Sequence, residues 1–247
     1  MSTTTKESVR AADSTRTRRL LRLCVWAGVV YTVAVGVAGA GLARFLPAPG
    51  ENWNAPQIAE FFRANEIGMR VGMELVLIVY MFYALFSLAL ARLMTHIEGR
   101  GGFLAPIQLL GGVTTAIITM LCSTFWLTAS FRSAGRDGEI IQTLNDLGWF
   151  FFDVTVMATI VQLVAFGAVC LINDQRPVPL FPRWLGYLSM FFAMTFLSEF
   201  FMPSFTTGPF AWHGLLSLYV ALGTFLVWIG IVAFHALRAI KTITSPA

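Results

Sequence analysis

Six apolar blocks, each long enough to cross a hydrocarbon core, constrain this chain more than any other feature. They run Leu23 to Phe45, Ile67 to Met94, Leu104 to Phe131, Leu147 to Ile172, Trp184 to Met202 and Phe210 to Ile240. A helix rises about 1.5 Å per residue, so roughly 20 apolar residues cross the roughly 30 Å of a bilayer interior. A run such as "ELVLIVYMFYALFSLALA" has no period-two polarity, which excludes the alternating strands of a membrane barrel. The sequence therefore predicts an all-α, polytopic membrane helix bundle with six transmembrane helices in one domain, residues 23–241. A disordered basic tail is expected over 1–22 and a short C-terminal tail over 242–247. The composition requires such a solvent: 57% of residues are hydrophobic and 12% charged, against about 25% charged in an average soluble domain.

Lysine and arginine set the expected orientation. Twelve fall in the N-terminal tail and the connections on its side of the membrane, and five (Arg44, Arg63, Arg70, Arg132 and Arg136) fall on the other. The positive-inside rule then puts both termini in the cytoplasm of a cell with its inner membrane as host. The tail carries half of the majority side. "TRRLLRLC" resembles a secretion signal, but the apolar run after it is about 20 residues long where a signal core has about 7 to 15.

Several chemistries find no motif. Cys24, Cys122 and Cys170 lie in or at the ends of spans and read as packing residues rather than as a disulfide or zinc framework. His96, His213 and His235 do not match the paired axial ligands of a membrane haem. Lys6 and Lys241 are the only lysines and both lie outside the spans, which leaves no Schiff-base lysine for retinal. There is no HExxH and no nucleophile elbow. No cofactor, metal or nucleic acid is implied, and no catalytic residue is assigned.

The ionisable residues inside the spans are the informative ones. Glu66, Arg70 and Glu74 follow one another at four-residue steps, with Arg63 one turn earlier, and so share a helix face. Counting from the expected span ends, Glu74, Asp153 and Glu199 lie about 10, 9 and 6 Å below one membrane surface, and His213 joins that layer. Charges facing lipid are disfavoured by about 2.5 to 3.5 kcal/mol each near a helix centre, so these side chains are expected to face inward. Arg70, Glu74, Asp153, Glu199 and His213 form the expected ligand or ion site, supported by Arg63, Glu66, Gln162 and Trp212. Asp153 and Glu199, without partners in their own helices, either share Arg70 or hold a proton. Thr114, Thr115, Thr119, Ser123, Thr124 and Thr128 line the third span, as packing hydroxyls or as a wet path.

Pro56 and the stripe Ile58, Phe61 and Phe62 predict a short interfacial helix before the second span. "NDQRPVPLFPRW" reads as a proline-broken inner loop, and "PSFTTGPFAWHG" either as an outer rim or lid over the charged layer or as a plain aromatic belt. The stretches "FFRANEIGMRVG", "IIQTLNDLGWFFFD", "RPVPLFPRWLGYLS" and "TGPFAWHGLL" resemble small, uncharacterised bacterial six-helix integral membrane proteins described only as domains of unknown function. That resemblance implies a six-helix inner-membrane fold and no activity.

Three function classes follow. The layer binds or moves a small solute, a cation or a proton. Alternatively, the chain is an accessory subunit with a protein partner or a second copy, its buried charges acting as locks and Gly36 and Ala40 as a packing face. The third class is a membrane enzyme using the carboxylates and His213.

Overall fold

The computed structural model describes residues 3–99, 101–172 and 178–243, with side chains from Thr15 onward. The described chain is 82% helical without strands, and six helical stretches are long and apolar enough to cross a membrane. They cover Thr15–Leu42, Glu66–Glu98, Leu104–Ser130, Gly138–Leu171, Arg183–Ser204 and Leu215–Thr242, within a few residues of the six apolar blocks at most ends. An even number of such stretches, alternating in direction, brings the described chain ends to one end of the bundle, the terminal side; the other end is the distal side. The C-terminal tail from residue 244, Arg100, and residues 173–177 of the proline-broken loop lie outside the described residues.

Helix α1 runs Thr3–Gly36 and continues as a π-helical stretch, Val37–Leu42. The expectation of a disordered tail is thereby corrected, since residues 3–22 are helical. The segment contains no proline and no glycine before Gly28, and a helix already nucleated by the first span extends through such residues at little free-energy cost.

Helix α2 (Ala55–Ala64) is the expected short helix. Asn54 and Gln57 close a reciprocal capping box, Pro56 sits in the first turn, and Ile58 and Phe62 are buried. It packs mainly against α5 (Gly138–Asp153). Helix α3 (Glu66–Glu98) packs against α1 and α4 (Leu104–Ser130), and α4 in turn against α5 and α6 (Met157–Leu171). Helix α7 (Arg183–Thr195) packs on α6, and α8 (Leu222–Thr242) returns to α1.

Glycines set the closest approaches. A Cβ at Gly72 would stand 3.0 Å from the Ala38 carbonyl, one at Gly68 2.4 Å from that of Leu42, and one at Gly28 2.6 Å from the Phe86 ring. At Gly36 it would meet nothing within 4 Å, and Ala40 is exposed. The packing face of the first span is therefore built around Gly28 and Ala38, which touch α3, and not on the expected Gly36 and Ala40.

Three of the spans leave α-helical geometry at one level. The fourth breaks at Val154–Val156, immediately after Asp153; the fifth tightens into a 3₁₀ segment, Phe196–Ser204, containing Glu199; the sixth opens as a π-helix, Leu215–Ala221, containing Ser217. Non-α backbone at membrane depth persists only where protein buries it or where it borders a cavity. Side-chain hydroxyls answer some of the disturbed carbonyls: Thr155 donates to Phe151 O (2.6 Å), Thr195 to Phe192 O (2.7 Å) and Ser198 to Thr195 O (2.8 Å).

Candidate functional site

At the level of these breaks the structure buries two acids. Asp153 and Glu199 are each 1% exposed, and their carboxyl groups lie against each other. An ionised carboxylate only accepts hydrogen bonds, so two carboxyls bond to each other only when one of them carries a proton. Ser217 has one hydroxyl proton and two acceptors in reach, the Phe210 carbonyl at 3.0 Å and the Glu199 carboxyl. Asp153 Oδ2 and Glu199 Oε2 are buried without a hydrogen-bond partner. Both residues border a cavity of about 70 Å³, enough for a few water molecules. Hydroxyls occupy its opposite wall, where Tyr31 pairs with Thr119 at 3.0 Å and Thr115 with Thr159 at 3.1 Å.

The expected partner of these acids stands elsewhere. Arg70 contacts Glu66 at 3.5 Å and lies 5.8 Å from the Phe131 ring centroid. Glu66 accepts from the Ser133 hydroxyl at 3.0 Å, while Arg63 donates to the Ser133 and Arg136 carbonyls, each at 2.9 Å. Arg136 reaches back to the Thr128 carbonyl. Arg63, Glu66 and Arg70 thus clamp the distal turn between α4 and α5. That turn needs fixing, because Arg132 holds φ +60° there, outside the ordinary range of a side-chain-bearing residue.

Glu74 corrects a second expectation. It is exposed, on the α3 face that carries Val71, Ile78, Met81, Leu85 and Leu88, and it does not join the buried pair. Arg92 is exposed at the other end of that face. The 18 residues between them rise about 27 Å, close to the roughly 30 Å hydrocarbon thickness. Glu74 and Arg92 therefore bracket an exposed apolar face about as long as a hydrocarbon core is thick.

His213 is half-buried above the pair rather than beside it. Its Nδ1 accepts the backbone N–H of Glu51 at 3.2 Å, and the backbone N–H of Trp212 donates to Glu51 Oε2 at 3.2 Å. The Trp212 indole donates to the Pro49 carbonyl at 2.8 Å and stacks on Trp149, with ring centroids 5.9 Å apart. These contacts fasten the strap of residues 43–54 to the connection before the sixth span, over the distal end of the bundle. Burial raises the Glu51 carboxyl to about 7, with Asp146 adding repulsion and the Trp212 N–H opposing; burial lowers His213.

Gln162 lies deeper. It accepts from the Tyr83 hydroxyl at 2.7 Å and donates to Ser87 Oγ at 3.0 Å, and Ser87 closes the ring onto the Tyr83 carbonyl. Gly111 admits α6 and Gly112 admits α3 here, since a Cβ at Gly111 would lie 2.6 Å from the Ala158 carbonyl and one at Gly112 2.0 Å from Ser87 Oγ. Beyond this ring, toward the terminal side, Leu90, Leu93, Met94, Phe166 and Trp228 form a fully buried apolar plug. Thr114, Thr124 and Thr128 take no part in the cavity wall, and Thr124 and Thr128 bond to their own helix. Glu51, Tyr31 and Ser217 belong to the site or its cover, although the sequence alone did not single them out.

No protein-family model matches the chain, and neither a curated protein nor a solved structure is significantly similar to it. Among the described residues, no group of three or more His, Cys, Asp or Glu is arranged to hold a metal ion.

Proposed function

We propose that this chain is a multi-pass protein of the cytoplasmic membrane, termini inside, that binds a proton or small cation at the Asp153–Glu199 pair. One observation carries the reading: two acids from different spans lie against each other, fully buried and, among the described residues, without a basic partner, beside a cavity. Two like charges in a low-dielectric site repel strongly, and a proton or a bound cation relieves that repulsion. Non-α backbone at the same level supports the reading, because broken helices border ion and solute sites in many membrane bundles. The apolar plug on the terminal side favours binding over open conduction.

The test is infrared difference spectroscopy of the protein in lipid discs at neutral pH. A protonated-carboxyl band that disappears in both Asp153→Asn and Glu199→Gln supports a shared proton. A spectrum without that band, unchanged by either substitution and by added monovalent cations, would refute the reading.

A second reading, an accessory subunit, is favoured by the Arg63–Glu66–Arg70 clamp, whose charges are used in fixing a turn. It predicts copurification with a partner and no change in cation occupancy when the pair is neutralised.

A further inference from the structure

The carboxyl cavity adjoins a second chamber. The two share Val35, Thr119, Phe152 and Leu222, and the second has a volume of about 110 Å³. Its wall is almost entirely apolar, with Met73, Val76, Trp126, Trp149 and Leu218 among its side chains. It opens at the π-helical stretch of the first span, where Gly39 and the exposed Ala40 form one lip and Leu46, 44% exposed, forms another. Cβ atoms built at Gly36 and Gly39 meet nothing within 4 Å. The backbone irregularity of the first span therefore borders open space.

We infer that the two chambers form one site for an amphipathic amine, with its ammonium at Asp153 and Glu199 and its apolar body among Trp126, Trp149 and Met73. The inference rests on the proposed reading of the pair as a cation site and adds the class of ligand. Two acids and no Arg, Lys or His line the chambers, so a phosphate or carboxylate head is disfavoured and a phospholipid headgroup does not fit. The unpartnered atoms at the pair, Asp153 Oδ2 and Glu199 Oε2, are acceptors, and an ammonium supplies up to three donors. The aromatic wall suits a cation as well as a hydrocarbon. For scale, a dry apolar cavity of about 150 Å³ holds benzene, so the body is a small ring or short branched chain extending toward the lateral opening. An amine arriving through lipid crosses the apolar chamber as its free base. Its nitrogen then takes the proton shared by the two carboxyls, giving an ammonium between carboxylates.

Calorimetric titration of the protein in lipid discs tests this with cyclohexylamine, methylamine and cyclohexanol. Cyclohexylamine is expected to bind more than tenfold more tightly than methylamine, with cyclohexanol weaker still. Gly39→Leu, which fills the opening, is expected to reduce that preference at least tenfold, whereas Gly41→Leu, whose Cβ also meets nothing but which lines neither chamber, keeps it. Ala40→Leu serves if Gly39→Leu lowers the unfolding temperature. Equal affinities for the two amines, or an unchanged preference in both chamber variants, would overturn the amine site and leave the pair as a bare cation site. If no amine binds and the protonated-carboxyl band is also absent, both the inference and the reading beneath it fail.

Discussion

The carboxyl of Asp153, at the last α-helical residue before the break in the fourth span, lies against that of Glu199 in the 3₁₀ segment of the fifth. Their contact stands where both spans give up regular backbone. Asp153→Asn keeps the shape and supplies an amide donor to an ionised Glu199, so the unfolding temperature in detergent should stay within error of wild type or rise. Asp153→Ala leaves Glu199 buried without that partner, which is expected to destabilise by about 1 to 3 kcal/mol. Equal losses from Asn and Ala would mean that a hydrogen bond between the two side chains contributes nothing to the fold.

The arginine clamp separates stability from binding. Arg63→Ala removes two charge-assisted bonds to the Ser133 and Arg136 carbonyls, and the chain should lose roughly 1.5 to 3 kcal/mol. Hydrogen exchange should quicken over residues 131–137 first. Ligand or proton occupancy at Asp153 and Glu199 should not change, because neither acid contacts this cluster.

The strap over the site should respond to pH. Glu51 is raised from the usual carboxyl range to about 7, and a carboxyl with a raised folded-state value stabilises the fold fully below its unfolded value, near 4.5. That contribution is lost as pH rises through 7. His213 is lowered, so its contribution is present above about 6.5 and is lost as pH falls through its folded value. Asp146 faces Glu51 electrostatically and deepens its response, and Asp153 also lies within electrostatic reach of Glu51. The loss of the Glu51 contribution should therefore quicken exchange of the strap amides, corrected for intrinsic rate, as pH rises through about 7, and the loss of the His213 contribution should quicken it as pH falls through that residue's folded value. In Glu51→Gln the alkaline part of that change should vanish; if it persists, another group governs the strap.

The spans were legible in the sequence because lipid demands long apolar blocks, and the inward placement of Asp153 and Glu199 followed from the free energy of exposing a charge to hydrocarbon. The direction in which Glu74 points was not legible in the same way. Residues 67, 71, 74, 78 and 81 fall on one helical face, but in a membrane helix the lipid-facing and core-facing sides are both apolar, so the amphipathic contrast that orients a soluble helix is weak. The counted depth for Glu74 also depended on an assumed span end. The breaks were hidden for a related reason. "DVTV" contains neither glycine nor proline, and Pro203 stands four residues beyond Glu199. Tertiary packing selects the local geometry there. Glu51 entered the site's cover through partners more than 160 positions away in the chain, a proximity that no local pattern encodes.

Glycine substitutions probe whether the midplane ring around Gln162 fixes the spacing between helices. A Cβ at Gly112 would fall 2.0 Å from Ser87 Oγ, 2.5 Å from Ser87 Cβ and 2.8 Å from Gln162 Nε2. Gly112→Ala must then push α4 away from α3 and α6 or break the Gln162–Ser87 bond. Overpacking of this kind typically destabilises by about 1 to 3 kcal/mol. Gly36→Ala adds the same methyl in open space, and alanine favours a helix over glycine by about 1 kcal/mol, so its unfolding temperature should hold or rise. Paired thermal unfolding in one detergent measures the contrast. A tolerated Gly112→Ala would mean that the ring yields easily, and that the cavity above it is not held to a fixed width by α4.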